Sequence, residues 1–303
     1  MKYLVLMILL GLISTVAYAK EIALTFDDAP MGNSKHFKSQ ARTEELIRKL
    51  KELNVPPVIV FATACKREDS ASVTAQLRKY KDAGHLIGNH TCSHPRLDDV
   101  GFAAYAKDAE KGDRLLASLF PEHKFFRFPF LNEGSEEKVR GQMRKWLTEN
   151  HYRNGMVSID TDDYIFSSKL NQAKKLGKKI DYQKVEKLLV MHLVGAAKFY
   201  DDLALKTLGY SPKHVMLLHE MDATVMSIDS LVKELRNQGW KIISAEEAYR
   251  DKIYFENLKN TNTSDGVIAQ MAFEKTKEKV SYHQMDEIKD ELDYALGLTT
   301  VKE

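Results

Sequence analysis

Two short segments carry side chains that could do chemistry. Thr25-Phe26-Asp27-Asp28-Ala29-Pro30 follows an apolar, strand-like run, and residues 90–94 read His-Thr-Cys-Ser-His. Together they supply two carboxylates and two imidazoles. Three such groups can hold a divalent metal with one position left open, and the fourth can act as a base; that arrangement activates water. Neither segment suffices alone. Paired acids after a strand are commonly turn residues or helix caps, and a His-x3-His spacing only puts two rings on one helical face. Further polar clusters at Arg127, at Asp160 to Tyr164 and at His219 favour a metal-dependent hydrolase.

The elements that must position these groups alternate along the chain. Strand-like runs are Glu21–Thr25, Val58–Ala62, His85–Gly88, Phe125–Phe128, Met156–Ile159, Val215–Leu218 and Trp240–Ile243. Helical spacing separates them: Leu46, Ile47, Leu50 and Leu53; Val73, Leu77 and Tyr80; a span at 99–119; Val139, Met143 and Trp146; Ile228, Leu231 and Leu235. Strands alternating with helices predict an α/β fold, an irregular (β/α) barrel of mainly parallel strands. The polar clusters fall at strand ends, which is where barrels of this class carry their active sites. Two regions break the rhythm. A Lys-rich, helix-leaning insertion occupies about 167–212, and a polar, helical extension runs from 251 to 303 with a soft Asn/Thr/Ser stretch at 260–264. The insertion lies between two catalytic strands and is expected to wall the groove and set substrate length. The extension is expected to be dispensable for chemistry.

The N-terminus reads as a secretory signal: Lys2, an apolar core from Leu4 to Leu12, and Ala17-Tyr18-Ala19 as the cleavage site. Residues 1–19 would be removed, leaving a catalytic domain over 20–250, exported to a bacterial periplasm or secreted, with no stable membrane association. The 303 residues contain 45 Lys and Arg against 43 Asp and Glu. Losing Lys2 leaves 44 against 43, a net of +1, which lacks the basic excess of a nucleic-acid surface. The chain has two cysteines, Cys65 and Cys92. An oxidising compartment would let them pair; two buried free thiols are the favoured reading, because Cys packs as a small hydrophobe. Thiolate ligation by Cys92 is the remaining option. Oligomeric state is not encoded in any of these features.

In order and in kind, the clusters resemble those of the polysaccharide deacetylases, the family 4 carbohydrate esterases, over roughly residues 20–250. The resemblance implies that Asp27 is the catalytic base and that Asp28, His90 and His94 hold a divalent ion, zinc by preference, with no other cofactor. It further implies that Arg127-Phe128-Pro129-Phe130 supplies an arginine orienting Asp27 and an oxyanion-binding backbone N–H at Phe130. Asp160-Thr161-Asp162-Asp163-Tyr164 would supply Asp160, orienting His219, and Tyr164 at the groove wall. Leu217-Leu218-His219 would supply a wall leucine, Leu217, and the catalytic acid, His219. The substrate implied is a carbohydrate carrying N-acetyl or O-acetyl groups, such as an N-acetylglucosamine polymer. The sequence departs from the family pattern at Ala29 (Gly), Phe128 (Pro), Phe130 (Tyr) and Tyr164 (Trp), positions expected at the groove's rim and walls. Two other readings use the same residues. One is an amidohydrolase acting on a non-carbohydrate amide; the other is a non-catalytic glycan-binding module, against which Asp27 and His219 argue, since binding needs neither base nor acid.

Overall fold

The computed structural model describes residues 20–65, 70–259, 265–282 and 284–299. The signal segment 1–19 and the Asn/Thr/Ser stretch at 260–264 lie outside the described residues. A long central strand, β1 (Lys20–Ala29), pairs with three neighbours, all in parallel. Its core side chains Ile22, Ala23, Leu24 and Phe26 are sealed from solvent, as a parallel strand covered on both faces requires. The chain then alternates: α1 (Ser39–Glu52), β2 (Ile59–Ala62), α2 (Ser70–Asp82), β3 (Leu86–Asn89), α3 (Leu97–Leu116), β4 (Lys124–Phe126), α4 (Glu137–Glu149) and β5 (Tyr152–Asn154). Two helices follow, α5 (Asp163–Lys175) and α6 (Tyr182–Leu208), then β6 (His214–His219), α7 (Asp222–Asn237), β7 (Trp240–Ile242), a short α8 (Ala245–Ala248), α9 (Gly266–Thr276) and α10 (Gln284–Ala295).

The sheet order is β5-β4-β3-β2-β1-β6, with β7 also on β1. Residues 152–159 join its two ends. Tyr152–Asn154 pairs with β4, and Ile159 bridges to Met216 on β6. The expected irregular parallel barrel is thus present, with one register correction. The regular strand is Tyr152–Asn154, and Met156–Ile159 contributes only the bridge. The reason is steric. Between the two pairings the backbone at Gly155 passes so close to Phe61 that a Cβ there would meet the ring at 2.6 Å. A Cβ at Gly88, on β3, would meet the same ring at 2.5 Å. Phe61 therefore fills the barrel between two positions that lack side chains.

The C-terminal extension is not a loose appendage. Val267, Ile268, Leu292 and Leu296 belong to the main core cluster. Val267 N donates to Val157 O at 2.7 Å, and Asp181 N donates to Ala295 O at 2.8 Å. Those contacts tie the extension to the barrel-closing segment and to the start of α6, so its expected dispensability does not extend to stability. A second, aromatic-rich cluster joins α3, α4, β4 and β5 through Tyr105, Phe126, Phe128, Trp146 and Tyr152. No helix among the described residues is long and apolar enough to cross a membrane.

Candidate active site

The strand ends converge on one cleft of about 410 Å³, lined by Asp27, Asp28, His90, His94, Phe130, Asp160, Tyr164, Leu217 and His219, together with Arg96. Register explains the convergence: Asp27 sits opposite His219 on β6, while Asn89 on β3 pairs with Phe126 on β4, handing His90 and Arg127 to the same rim.

One oxygen or nitrogen from each of Asp28, His90 and His94 lies within 4.8 Å of the others. His94 Nε2 is 3.5 Å from Asp28 Oδ1. His90 Nδ1 is 2.7 Å from the carbonyl oxygen of Arg127. A ring nitrogen facing a carbonyl must carry the proton, so His90 Nε2 keeps its lone pair, the tautomer that a metal ligand needs. The donor set, one carboxylate and two imidazoles around an open cleft, fits a catalytic zinc site. Asp28 and His94 hold positive φ, 67° and 63°, so the ligand geometry comes from turns and not from a helical face.

Arg127 is fully buried and spends its guanidinium on four acceptors. Nη1 donates to Asp27 Oδ1 at 2.8 Å, Nε to Gly155 O at 2.6 Å, and Nη2 to Thr25 Oγ1 and Tyr249 Oη at 3.1 and 2.9 Å. Burial pushes the Asp27 carboxyl above its usual range, and Arg127 and His219 oppose that push. Arg127 thus pairs with Asp27, as expected.

The partner of His219 is corrected from Asp160 to Asp163. Asp163 Oδ1 lies 2.7 Å from His219 Nδ1, and Oδ2 accepts from His219 N at 2.8 Å and Thr224 Oγ1 at 2.6 Å. Asp163 opens α5, so its side chain faces back to the strand end. Asp160 instead accepts from its own Thr161 N at 2.9 Å and stays in the cleft lining. Burial opposes a charge on His219, but Asp163, with Asp27 and Asp28, outweighs it and lifts the imidazole to about 9.

The four departures from the family pattern divide. Phe130, half exposed, packs edge-on against His94 with centroids 4.6 Å apart; Tyr164 stands edge-on to His219 at 5.7 Å. Both line the cleft. Ala29 and Phe128 do not; they are buried, Phe128 beside Tyr105 and Phe126 in the aromatic cluster. The turn around Phe130 takes its own hydrogen bonds from Leu131 N and Asn132 N.

Cys65 and Cys92 form a disulfide with Cα atoms 4.7 Å apart, which corrects both the free-thiol and the ligand readings. The backbone pairing of Cys65 N with Cys92 O at 2.8 Å brings the two residues together. Tyr249, which helps hold Arg127, carried no signal in the sequence, and Thr25 stood in the acid-pair segment with no role assigned to it. Asp163 did carry a signal, as one of three acids within four residues.

Residues 16–146, less than half of the chain, match the polysaccharide deacetylase family profile. The chain carries a polysaccharide deacetylase domain. A peptidoglycan-N-acetylglucosamine deacetylase of Bacillus cereus is 31% identical over 145 residues, covering 48% of this chain and 46% of that protein. A chitin deacetylase of Colletotrichum lindemuthianum is 24% identical over 238 residues, covering 76% and 79%. The chain spans less than half the length of the curated peptidoglycan deacetylases of Bacillus cereus and Listeria monocytogenes that it matches. Among solved structures, the Bc1960 peptidoglycan N-acetylglucosamine deacetylase aligns over 76% of this chain and 88% of its own, with a TM-score of 0.51 at 22% identity. The Bacillus cereus polysaccharide deacetylase Bc1974 gives 0.52 at 18%, covering 73% and 90%. These likenesses establish the barrel fold.

Proposed function

We propose that the protein is an exported, metal-dependent hydrolase that removes N-acetyl or O-acetyl groups from a carbohydrate, such as a polymer or oligomer of N-acetylglucosamine. One observation carries the reading: a carboxylate–imidazole triad, a carboxylate held by a buried arginine and a histidine held by a buried aspartate share a single cleft. The related deacetylases of peptidoglycan and chitin support the substrate class. The Cys65–Cys92 disulfide supports an oxidising compartment, and with it export.

The residues divide the work. Asp28, His90 and His94 would hold the ion, zinc by its donor set, which when bound supplies Lewis acidity towards water and the acetyl carbonyl. Asp27 accepts the proton of the attacking water; Arg127 fixes its other oxygen, so one lone pair faces the cleft. The Phe130 backbone N–H would stabilise the oxyanion. His219, charged near neutrality and locked through Nδ1 by Asp163, keeps its Nε2 proton for the departing amine. Tyr164 and Leu217 form the cleft walls. The domain boundaries follow the same logic, with catalysis in 20–250 and support from the insertion at 167–212 and the extension at 251–303.

Purified protein, loaded with zinc, should release acetate from at least one of N-acetylglucosamine oligomers, peptidoglycan or acetylated xylan, and a chelator should stop it. Absence of acetate from all three would remove the proposal.

A further inference from the structure

One buried carboxylate has no part in the chemistry above. Glu220 follows His219 directly, past the end of β6, and is sealed from solvent. A buried carboxylate is costly unless its oxygens are satisfied, and this one gathers donors from three separate elements. Oε1 accepts from Thr43 Oγ1 on α1 at 2.6 Å and from Tyr80 Oη on α2 at 2.8 Å. Oε2 accepts from Met31 N, in the loop after β1, at 2.7 Å. Burial pushes the carboxyl up, and these donors, with Arg42, oppose that push.

The Met31 bond bears on the active site because of what precedes it. Residues 27–31 run from Asp27 through Asp28, whose φ of 67° is unfavourable for a residue with a Cβ and persists only where its surroundings impose it. Glu220 grips this segment at both ends. Its own N–H donates to Asp27 O at 3.1 Å, and its side chain takes the Met31 N–H. Arg42, anchored through Nε on Asp222 Oδ1 at 2.8 Å, donates from Nη1 to Met31 O and Gly32 O at 3.1 and 2.8 Å. Thr63 N donates to Ala29 O at 3.1 Å. The Glu220 contacts tie the segment to the strand end that carries His219; the others tie it to α1 and to the end of β2.

We infer that Glu220 is a positioning residue for the metal site, holding the turn that carries Asp27 and Asp28 against the strand that carries His219. It acts through the backbone of residues 27–31. The inference rests on the reading of Asp28 as a metal ligand, and it is independent of the substrate.

Zinc dissociation constants measured by chelator competition test it without any turnover. Glu220→Met keeps the side chain's length and removes both acceptors, and should weaken zinc binding by about tenfold or more. Glu220→Gln keeps an acceptor for the Met31 N–H, and its amide can donate to hydroxyls that turn round to accept, so it should stay within about threefold of the parent. Leu292→Ala, in the core of α10, should melt lower yet bind zinc as the parent does. Melting curves report whether each variant is folded. Unchanged affinity in folded Glu220→Met, or an equal loss in Glu220→Gln or Leu292→Ala, overturns the inference. Should Glu220→Met not fold, the parent protein answers through the reciprocity of linked equilibria: saturating zinc must slow hydrogen exchange at the Met31 amide by a comparable factor, about tenfold. Equal exchange with and without zinc overturns the inference. A parent that binds zinc in a Glu220-dependent way, yet releases no acetate from any glycan, removes the deacetylase reading and leaves the positioning role in place.

Discussion

At the cleft mouth, five residues with side chains, Asp28, Thr91, His94, Phe130 and Leu131, hold φ between 51° and 67°. Buried beside them are Asp27, His90, Arg127 and Asp163. The wall built by α6, α9 and α10 is made otherwise. Leu188, Leu189, Leu193, Val267, Ile268 and Leu292 interlock there, and α6 closes on Gly209, a residue that takes the left-handed conformation without cost. Left-handed backbone at a residue with a Cβ costs of order 1–3 kcal/mol and persists only where the surroundings over-determine it. The contrast assigns the two regions different tasks. The mouth concentrates strain and buried charge where reacting groups must be aimed, and the apolar wall holds the fold that keeps them there.

Substitutions at the mouth should therefore cost activity, and substitutions in the wall should cost stability. The largest effect is expected at the ligands. His90→Ala or His94→Ala should lose both zinc, measured by metal analysis after dialysis against the ion, and acetate release; full stoichiometry in the double variant would break the contrast at its strongest point. Asp27→Asn should keep its metal while turnover falls by about 10²- to 10⁴-fold, and an unchanged rate would mean that the proton goes elsewhere. In the wall, Leu292→Ala should lower the unfolding free energy by about 2–5 kcal/mol, read by urea titration, with turnover per folded molecule preserved. A fall in turnover with unchanged stability would reverse the division of tasks.

The smallest effect sharpens the comparison through pH. His219 is paired and raised, whereas His85 and His192 are buried and each lowered to about 4, chiefly by desolvation. The unfolded chain takes a proton on such a histidine near 6.5, and the folded chain only near 4. The unfolded state thus binds more protons in that window, so stability should be complete above 6.5 and decline as the pH falls towards 4. Replacing His85 by Gln should flatten that slope in denaturation curves taken across the window. An unchanged slope in both the His85 and His192 variants would place the acid sensitivity at the carboxylates of the mouth.

Much of the site was legible because strand ends announce themselves. The apolar runs before Asp27 and before His90 set where those side chains emerge, and parallel pairing does the rest. What was illegible depended on contacts across long sequence separations. Nothing near Arg127 points to Tyr249, 122 residues away, yet the two share a hydrogen bond. The choice between Asp160 and Asp163 turned on where α5 begins, and helix starts are poorly fixed by pattern alone. The strand at 152–154 was missed in favour of the more apolar 156–159, because the close passage at Gly155 is a constraint imposed by Phe61. The extension read as solvated because its buried residues are spread thinly among charged ones.

Phe61 carries a consequence for how this sequence can change. Its ring occupies the space that side chains at 88 and 155 would need, and Arg127 lies over it with Cζ 4.1 Å from the ring centroid. Three positions scattered along the chain therefore share one volume. A methyl group gained at 88 or 155 has to be matched by carbon lost at 61, and each intermediate with only one of the two changes is either overfilled or hollow. The guanidinium that aims Asp27 rests on that sum. A side chain gained at 88 or 155 alone therefore displaces the ring on which Arg127 rests, and the alignment of the base with it.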